Sequence, residues 1–413
     1  MMADVSVLDV LLYGEPIGTL TRVPGDRILF AFNDAYINDV NRPVLGLHFK
    51  DAFGNLITEF GTTQIKLLPF FSNLLPEGHM RKYLAERAEV KPEREFFLIW
   101  ALGQDLPGAI TVKPSEGEGQ PYDAGEDADI EFDQKGRDNL ALRFSLAGVQ
   151  LKFSAINEST GGLTIPAKGI GGSWIVKLPS REYRGVPENE YSMMTLARLI
   201  GMNVPAIKLV DPSDIKNLPK GIDDLKGSAF AIERFDRLSD GGLVHMEDFA
   251  QIFGLYPDDK YGKASVRNIA TVLARESSNA DIAEFVRRLT FNTLIGNADM
   301  HAKNWSVIYP DRRNVALSPA YDFVSTIPYI PDDEAALKIS RTKRFDGFSE
   351  DELTHLAGKA QLPEALVIDT ARETVELFRE VWQKEKHNLP LTQEIIEAIE
   401  AHVATVPLAR LKP

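Results

Sequence analysis

Residues Gly296–Asn304 read GNADMHAKN, and what flanks this stretch decides the fold. Upstream, Ile282, Phe285, Val286, Leu289 and Thr293 recur at helical spacing, and Gly296 suits the position just past a helix end. Downstream, Trp305–Tyr309 and Val315–Leu317 flank the turn Pro310–Asn314 and predict a β-hairpin. If Trp305–Tyr309 pairs antiparallel with Asn314–Ser318, the start of the first strand lies beside the end of the second. Asn304 and Asp322 then emerge at one edge, with Asp299 in the loop just before. Three oxygen-bearing side chains from two loops would face one small volume. That arrangement suits Mg²⁺, which takes hard oxygen ligands and keeps water and phosphate oxygens for its remaining positions.

Asp299 and Asn304 are five apart, the spacing of the protein-kinase catalytic loop H-R-D-L-x-x-x-N. There the Asp is the base and the Asn binds magnesium. Each residue alone says little, because a single Asp after a strand is usually a turn residue. Helix, loop, hairpin and second Asp together point to phosphoryl transfer from ATP. His301 reads as a general acid/base, a phosphate contact or a structural donor. Lys303 reads as a counter-charge for the γ-phosphate. A zinc site of His301, Asp299 and Asp322 is a poor fit without cysteine or a second nearby histidine.

Composition bounds the alternatives. At 413 residues the chain exceeds one typical core and predicts two or three domains. Its 44% apolar and 26% charged residues are those of a globular protein. No cysteine is present, so disulfides, thiolate metal sites and Cys nucleophiles are excluded, and a reducing, cytoplasmic setting is expected. Nothing at the N-terminus reads as a signal peptide, and no apolar run approaches the roughly 18 residues of a membrane span. A net charge of −14 argues against strong autonomous nucleic-acid binding.

Residues 1–113 predict an α+β unit. A hairpin of Ser6–Tyr13 and Ile17–Arg22 turns at Gly14-Glu15-Pro16, and Arg27–Phe32 is a further strand. Helices are expected over His79–Glu89 and from Pro92 to Leu102, with Asp105–Ala109 a loop. Residues 114–136 are acidic, poor in large apolar groups, and predict a linker. Residues 137–237 predict a small β-rich lobe. Its strands are Leu140–Phe144, Leu151–Ala155, Ser173–Leu178, Ala206–Val210 and Ser228–Glu233, with a helix opened by Pro187 and closed by Gly201. Residues 238–413 predict a larger helical lobe ending in helices Leu366–Trp382 and Thr392–Val403.

Within the small lobe, Ser145-Leu-Ala-Gly-Val-Gln150 joins two strands and offers backbone N–H groups to an anion. Alone it is an ordinary hairpin turn with one glycine, and Lys152 after it reads equally as a phosphate contact or a solvated strand charge. Lys177 in Trp174-Ile-Val-Lys177 resembles the V-A-I-K strand, whose Lys binds phosphates and pairs with a helix Glu. Glu190 is the preferred partner and Glu188 nearly as good. Glu233-Arg-Phe-Asp236 leads from one lobe into the other, where a kinase holds adenine by backbone groups.

These pieces resemble the HipA-type serine/threonine kinase toxins of bacterial type II toxin–antitoxin modules. The matching residues are Asn73-Leu-Leu-Pro-Glu-Gly78, Asp105-Leu-Pro-Gly108, Ser145–Gln150, Lys177, Asn189-Glu-Tyr191, Glu233-Arg-Phe-Asp-Arg237, Glu247-Asp-Phe-Ala-Gln251, Asp299-Met-His-Ala-Lys-Asn304 and Tyr321-Asp322. They span almost the whole chain. The resemblance implies a bilobal protein-kinase-like α+β fold with an N-terminal α+β accessory domain. It implies Asp299 as catalytic base, and Asn304 and Asp322 as Mg²⁺ ligands. ATP would be held by Ala147, Gly148, Val149, Gln150, Lys152, Lys177, Glu233, Phe235, Asp236, His301, Lys303 and Asn304. Ser145 matches the autophosphorylation serine that silences the enzyme. The implied partners are a helix-turn-helix (HipB-like) antitoxin dimer, operator DNA reached through that complex, and a protein substrate such as an aminoacyl-tRNA synthetase. Departures from general kinases are His301 two after the base and Asp322-Phe-Val in place of D-F-G. For direct DNA contact the loose candidate is Arg341-Thr-Lys-Arg344. Two other readings share this geometry: a small-molecule kinase of the aminoglycoside or lipid type, and a non-catalytic corepressor scaffold.

Overall fold

A computed structural model describes residues 6–116, 152–157, 163–165, 171–180, 182–218, 226–330 and 334–410. The expected strand Leu140–Phe144, the loop Ser145–Gln150 with Ala147, Gly148 and Val149, and most of the acidic stretch 114–136 lie outside the described residues.

The N-terminal unit is an antiparallel sheet of β1 (Val7–Leu12), β2 (Glu15–Val23), β3 (Arg27–Phe32), β4 (Thr63–Gln64) and β5 (Ile110–Pro114), in the order β4-β3-β2-β1-β5. The first turn is Tyr13-Gly14, one residue earlier than expected. Leu12 pairs with Glu15, and both central residues have positive φ (54° and 83°), the combination that suits the twist of a two-residue hairpin. β5 directly follows the expected loop Asp105–Ala109 and takes in Pro114, the first residue of the expected linker. It is an edge strand, where Pro114 is tolerated because one side needs no ladder bond. Phe30, Phe49, Phe70, Phe71 and Phe96 fill the core of this unit. Helix Glu95–Leu102 begins three residues later than Pro92, because Lys91–Arg94 forms a turn and Glu95 N–H bonds Ile65 C=O at 3.2 Å.

The small lobe is a six-stranded sheet of β6 (Lys152–Asn157), β7 (Leu163–Thr164), β8 (Trp174–Lys177), β9 (Ile207–Val210), β10 (Ile215–Lys216) and β11 (Ala229–Glu233), ordered β10-β7-β6-β8-β11-β9. Its register sets Lys177 opposite Lys152 on one side and Phe230 on the other. Helix Val186–Leu199 covers it, with Pro187 in the first turn and Met193, Met194, Leu196 and Ala197 buried.

The larger lobe carries helices Val266–Glu276, Asn279–Leu294, Glu350–Ala360, Glu364–Glu385 and Gln393–Thr405. Ser265 and Ser278 open the first two with reciprocal side-chain caps. Phe285, Leu289, Phe291, Phe378 and Trp382 lie in their shared core. The expected hairpin is present: β13 (Ser306–Tyr309) pairs with β14 (Ala316–Leu317), Val307 opposite Leu317. A third strand, β12 (His245–Asp248), joins β13 from the other side and was read as helical territory. Its sequence hides it, because the inward residues are polar. His245 and Glu247 are fully buried against the N-terminal unit, where His245 Nε2 meets Leu45 C=O at 2.8 Å and Glu247 accepts Leu47 N–H at 2.8 Å. Among the described residues no helix is long and apolar enough to cross a membrane.

Candidate active site

Helix Asn279–Leu294 delivers the chain to Gly296, whose φ of +65° turns it into the loop. A Cβ there would stand 2.7 Å from Ile327, so glycine is needed for space as well as conformation. Asn297 then ties two loops together. Its Oδ1 accepts Asp299 N–H at 3.1 Å, and its Nδ2 donates to Asp322 C=O at 3.3 Å. Asn304 Nδ2 donates to Asp299 C=O at 2.9 Å and closes the loop on itself. The Asp299 carboxylate is met by Tyr261 Oη, which donates to Oδ1 at 2.9 Å.

Asp322 sits at the junction of the lobes. Its φ of +58° is a left-handed conformation, uncommon for a residue with a side chain and of the kind held at functional sites. Lys177 Nζ bonds both Asp322 Oδ1 and Glu190 Oε1, and Lys152 Nζ reaches Asp322 Oδ2 at 3.5 Å. The sheet register that faces Lys152 with Lys177 therefore aims two ammonium groups at one carboxylate. Burial alone would raise the Asp322 pKa, but Lys152 and Lys177 outweigh it and hold the carboxyl far below its usual range. Burial would likewise lower Lys177, and the carboxylates of Asp322 and Glu190 push it above its usual value instead. Glu188, the other helix carboxylate considered, turns away and accepts Ser228 N–H at 3.0 Å.

His301 is 7% exposed, and its Nδ1 is buried without a partner. Burial pulls its pKa down to about 4, against the raising influence of Asp299, so the ring is neutral near pH 7. A neutral imidazole with a free nitrogen beside two carboxylates is a hydrogen-bonding group kept for something else.

Other expected site residues are committed elsewhere. Lys303 Nζ donates to Asn73 C=O at 2.9 Å and lies 3.1 Å from Glu77 and 3.6 Å from Asp248. Its charge pins the loop to the N-terminal unit. Asp236 accepts from Arg234, Arg237 and Gly108 N–H, so its side chain is spent on structure. Glu233 N–H bonds Ala206 C=O at 2.8 Å, and the Phe235 ring leans on Tyr321 at 5.9 Å. The loop Arg341–Arg344 pairs within its own lobe through Asp351, Glu352 and Asp346.

Several contributors had no role assigned in sequence, although Asn189 and Glu77 stand within the quoted motifs. Asn189 clamps the stretch after Asp322, with Nδ2 on Ser325 C=O at 2.9 Å and Oδ1 on Ser325 N–H at 3.1 Å. It adjoins Glu190, so one helix turn holds both the lysine partner and the Asp322 segment. Glu77 salt-bridges Lys260 at 2.8 Å as well as Lys303. Tyr261 gave no local signal, since its loop Tyr256–Ala264 reads only as polar. Among the described residues no three His, Cys, Asp or Glu side chains gather as a ready-made metal cage. Mg²⁺ does not need one, because it binds through one or two protein oxygens plus phosphate and water. Asp322 and Asn304 supply that donor type.

The chain is similar to known proteins over nearly its whole length. Residues 8–113 match the HipA N-terminal domain, and residues 144–382 match the HipA-like C-terminal domain. The chain is 61% identical over 412 residues to "Putative kinase Y4dM" of Sinorhizobium fredii, covering 99% of each. It is 28% identical over 381 residues to the serine/threonine-protein kinase toxin HipA of Shewanella oneidensis, covering 84% of each. The fold matches a chain in the solved complex of HipA, HipB and operator DNA from Shewanella oneidensis MR-1, with a TM-score of 0.72 at 22% identity, covering 97% of this chain and 96% of that one.

Proposed function

This chain belongs to the HipA family, and on that premise we propose that it is a HipA-type kinase that moves the γ-phosphoryl group of ATP to a serine or threonine hydroxyl of a protein. One observation carries the reading. A carboxylate gripped by lysines of the small lobe, Asp322, is stitched through Asn297 to the loop that presents Asp299. Two lobes thus converge on one point, as phosphoryl transfer requires.

In this reading Asp299 accepts the proton of the acceptor hydroxyl as the oxygen attacks phosphorus. Lys177, fixed by Glu190, is the cation for the α/β-phosphates, and Lys152 adds charge at the same mouth. The neutral His301, with its hydrogen on the unpartnered Nδ1, donates that N–H to a phosphate oxygen. Asn304 and Asp322 would hold Mg²⁺, which when bound neutralises charge between the β- and γ-phosphates. The backbone at Glu233 and Phe235 lines the adenine. Lys303 and Asp236 serve instead to lock the site onto the N-terminal unit. Ser145 is the proposed autophosphorylation site that silences the enzyme, and Ala147, Gly148, Val149 and Gln150 are proposed phosphate contacts.

We divide the chain into an accessory domain (1–113), an acidic linker (114–136), a small lobe (137–237) and a helical lobe (238–413). The proposed setting is a cytoplasmic toxin–antitoxin module with a HipB-like helix-turn-helix partner and, through it, operator DNA. A translation component such as an aminoacyl-tRNA synthetase is the proposed substrate class.

The test is incubation of purified chain with [γ-³²P]ATP, Mg²⁺ and host lysate, wild type beside Asp299→Asn. Label is expected in a discrete protein band and, by peptide mapping, at Ser145. Asp299→Asn should cut transfer about 10²–10⁴-fold, the typical contribution of a general base, while nucleotide binding persists. Label in a small molecule would replace this reading with the small-molecule kinase. Transfer near wild type in Asp299→Asn would remove the base assignment.

A further inference from the structure

Tyr261 is 44% exposed, unusual for an aromatic ring beside a candidate catalytic carboxylate. Its hydroxyl donates to Asp299 Oδ1 at 2.9 Å, the contact that an acceptor hydroxyl makes with a general base. The ring stands edge-on to His301, centroids 5.0 Å apart. Its loop is held from the N-terminal unit by Glu77, whose Oε2 lies 2.8 Å from Lys260 Nζ, and from the catalytic loop by Ala302 N–H, which bonds Lys260 C=O at 3.3 Å. Lys303 in the catalytic loop holds the same Glu77. One carboxylate therefore fixes Tyr261 and Asp299 relative to each other. Burial, then the Asp299 charge, raises the Tyr261 pKa, so the phenol stays a donor at neutral pH.

We propose that Tyr261 is a specificity-determining residue of the acceptor site: its hydroxyl fills the acceptor's hydrogen-bonding position on Asp299, and only a hydroxyl carried on a polypeptide that displaces it gains the base. The inference rests on Asp299 being that base. Water, bound by little else, does not displace the phenol and is kept from ATP. When an acceptor does, its O–H proton passes to Asp299 and its oxygen bonds the γ-phosphorus. The bond to the β–γ bridging oxygen breaks, and ADP leaves.

The experiment uses the full chain with Mg²⁺ and ATP. Phosphate release without acceptor, and transfer to a peptide library with a fixed central serine, are measured for wild type, Tyr261→Phe, Asp299→Asn and the double variant. Removing one hydrogen bond to a charged group predicts that Tyr261→Phe releases phosphate roughly tenfold faster and lowers the acceptor KM by a similar factor. The ATP KM should not move, whereas a merely structural tyrosine would change neither the hydrolysis rate nor the acceptor KM selectively. Hydrolysis and acceptor KM both at wild-type values in Tyr261→Phe, at an unchanged melting temperature, overturn the inference. Loss of the excess hydrolysis in the double variant supports it. Its retention in the double variant overturns the inference together with the base assignment, and full transfer by Asp299→Asn alone marks that assignment as the one that failed.

Discussion

Asp105→Asn should weaken the junction between the N-terminal unit and the rest of the chain. Asp105 Oδ1 accepts Arg234 Nη1 and Arg237 Nη2, each at 2.9 Å, and Oδ2 accepts Gly171 N–H at 3.1 Å and Ser154 Oγ–H at 3.3 Å. One carboxylate thus joins the accessory loop, the small-lobe sheet and the connector between the lobes. An asparagine keeps a single acceptor oxygen and turns an NH₂ toward donors. Breaking a buried ion pair costs about 3–5 kcal/mol. Asp236 still pairs both guanidinium groups, so we expect about 2–4 kcal/mol here.

Urea unfolding followed by tryptophan fluorescence reads it, because Trp100 reports the N-terminal unit, Trp174 the small lobe, and Trp305 and Trp382 the helical lobe. Burial opposes ionisation of Asp105, but Arg234 and Arg237 hold its carboxyl below the ordinary aspartate range. A depressed carboxylate contributes stability above its unfolded pKa and loses it as pH falls through the folded one. The gap between wild type and Asp105→Asn is therefore flat from about pH 8 to pH 5 and closes below about pH 4. A loss under about 0.5 kcal/mol at pH 7, the size of an ordinary surface change, would refute the clasp. So would a gap that widens in acid.

Two further outcomes follow from buried features. Glu247 is fully buried, and burial lifts its pKa to about 8 despite bonds from Tyr309 and Leu47. A carboxyl raised in the fold gives its full stability below the unfolded value of 4.5 and loses it as pH climbs toward 8. Glu247→Gln should gain on wild type between those pH values and run parallel above; parallel curves throughout would count against the shift. Gly296→Ala must adopt a left-handed φ and push Ile327, which together cost about 2–5 kcal/mol. Thermal unfolding measures this, and an unchanged melting temperature would mean the turn relaxes freely.

Much of the fold was readable because it rests on local signals. Arg27–Phe32 was placed as a strand in a β-rich stretch, and helix Asn279–Leu294 by its apolar period and Gly296 just past its end. The hairpin pairing of Val307 with Leu317 followed from two apolar runs around a polar turn. β12 escaped because its inward face is His and Glu, residues whose burial depends on a partner surface about 200 residues away.

The same division governs the candidate site. The expected hairpin put Asp299, Asn304 and Asp322 on two loops at one edge, and in the fold Asn297 bonds both Asp299 N–H and Asp322 C=O while Asn304 bonds Asp299 C=O. Sequence could not decide which charges were free. Lys303 and Asp236 are bound by Asn73, Glu77, Arg234 and Arg237, while Lys152 and Lys177 face Asp322. A charged side chain a few ångströms long takes whatever opposite charge packing brings within reach, and packing of distant segments is set by tertiary structure.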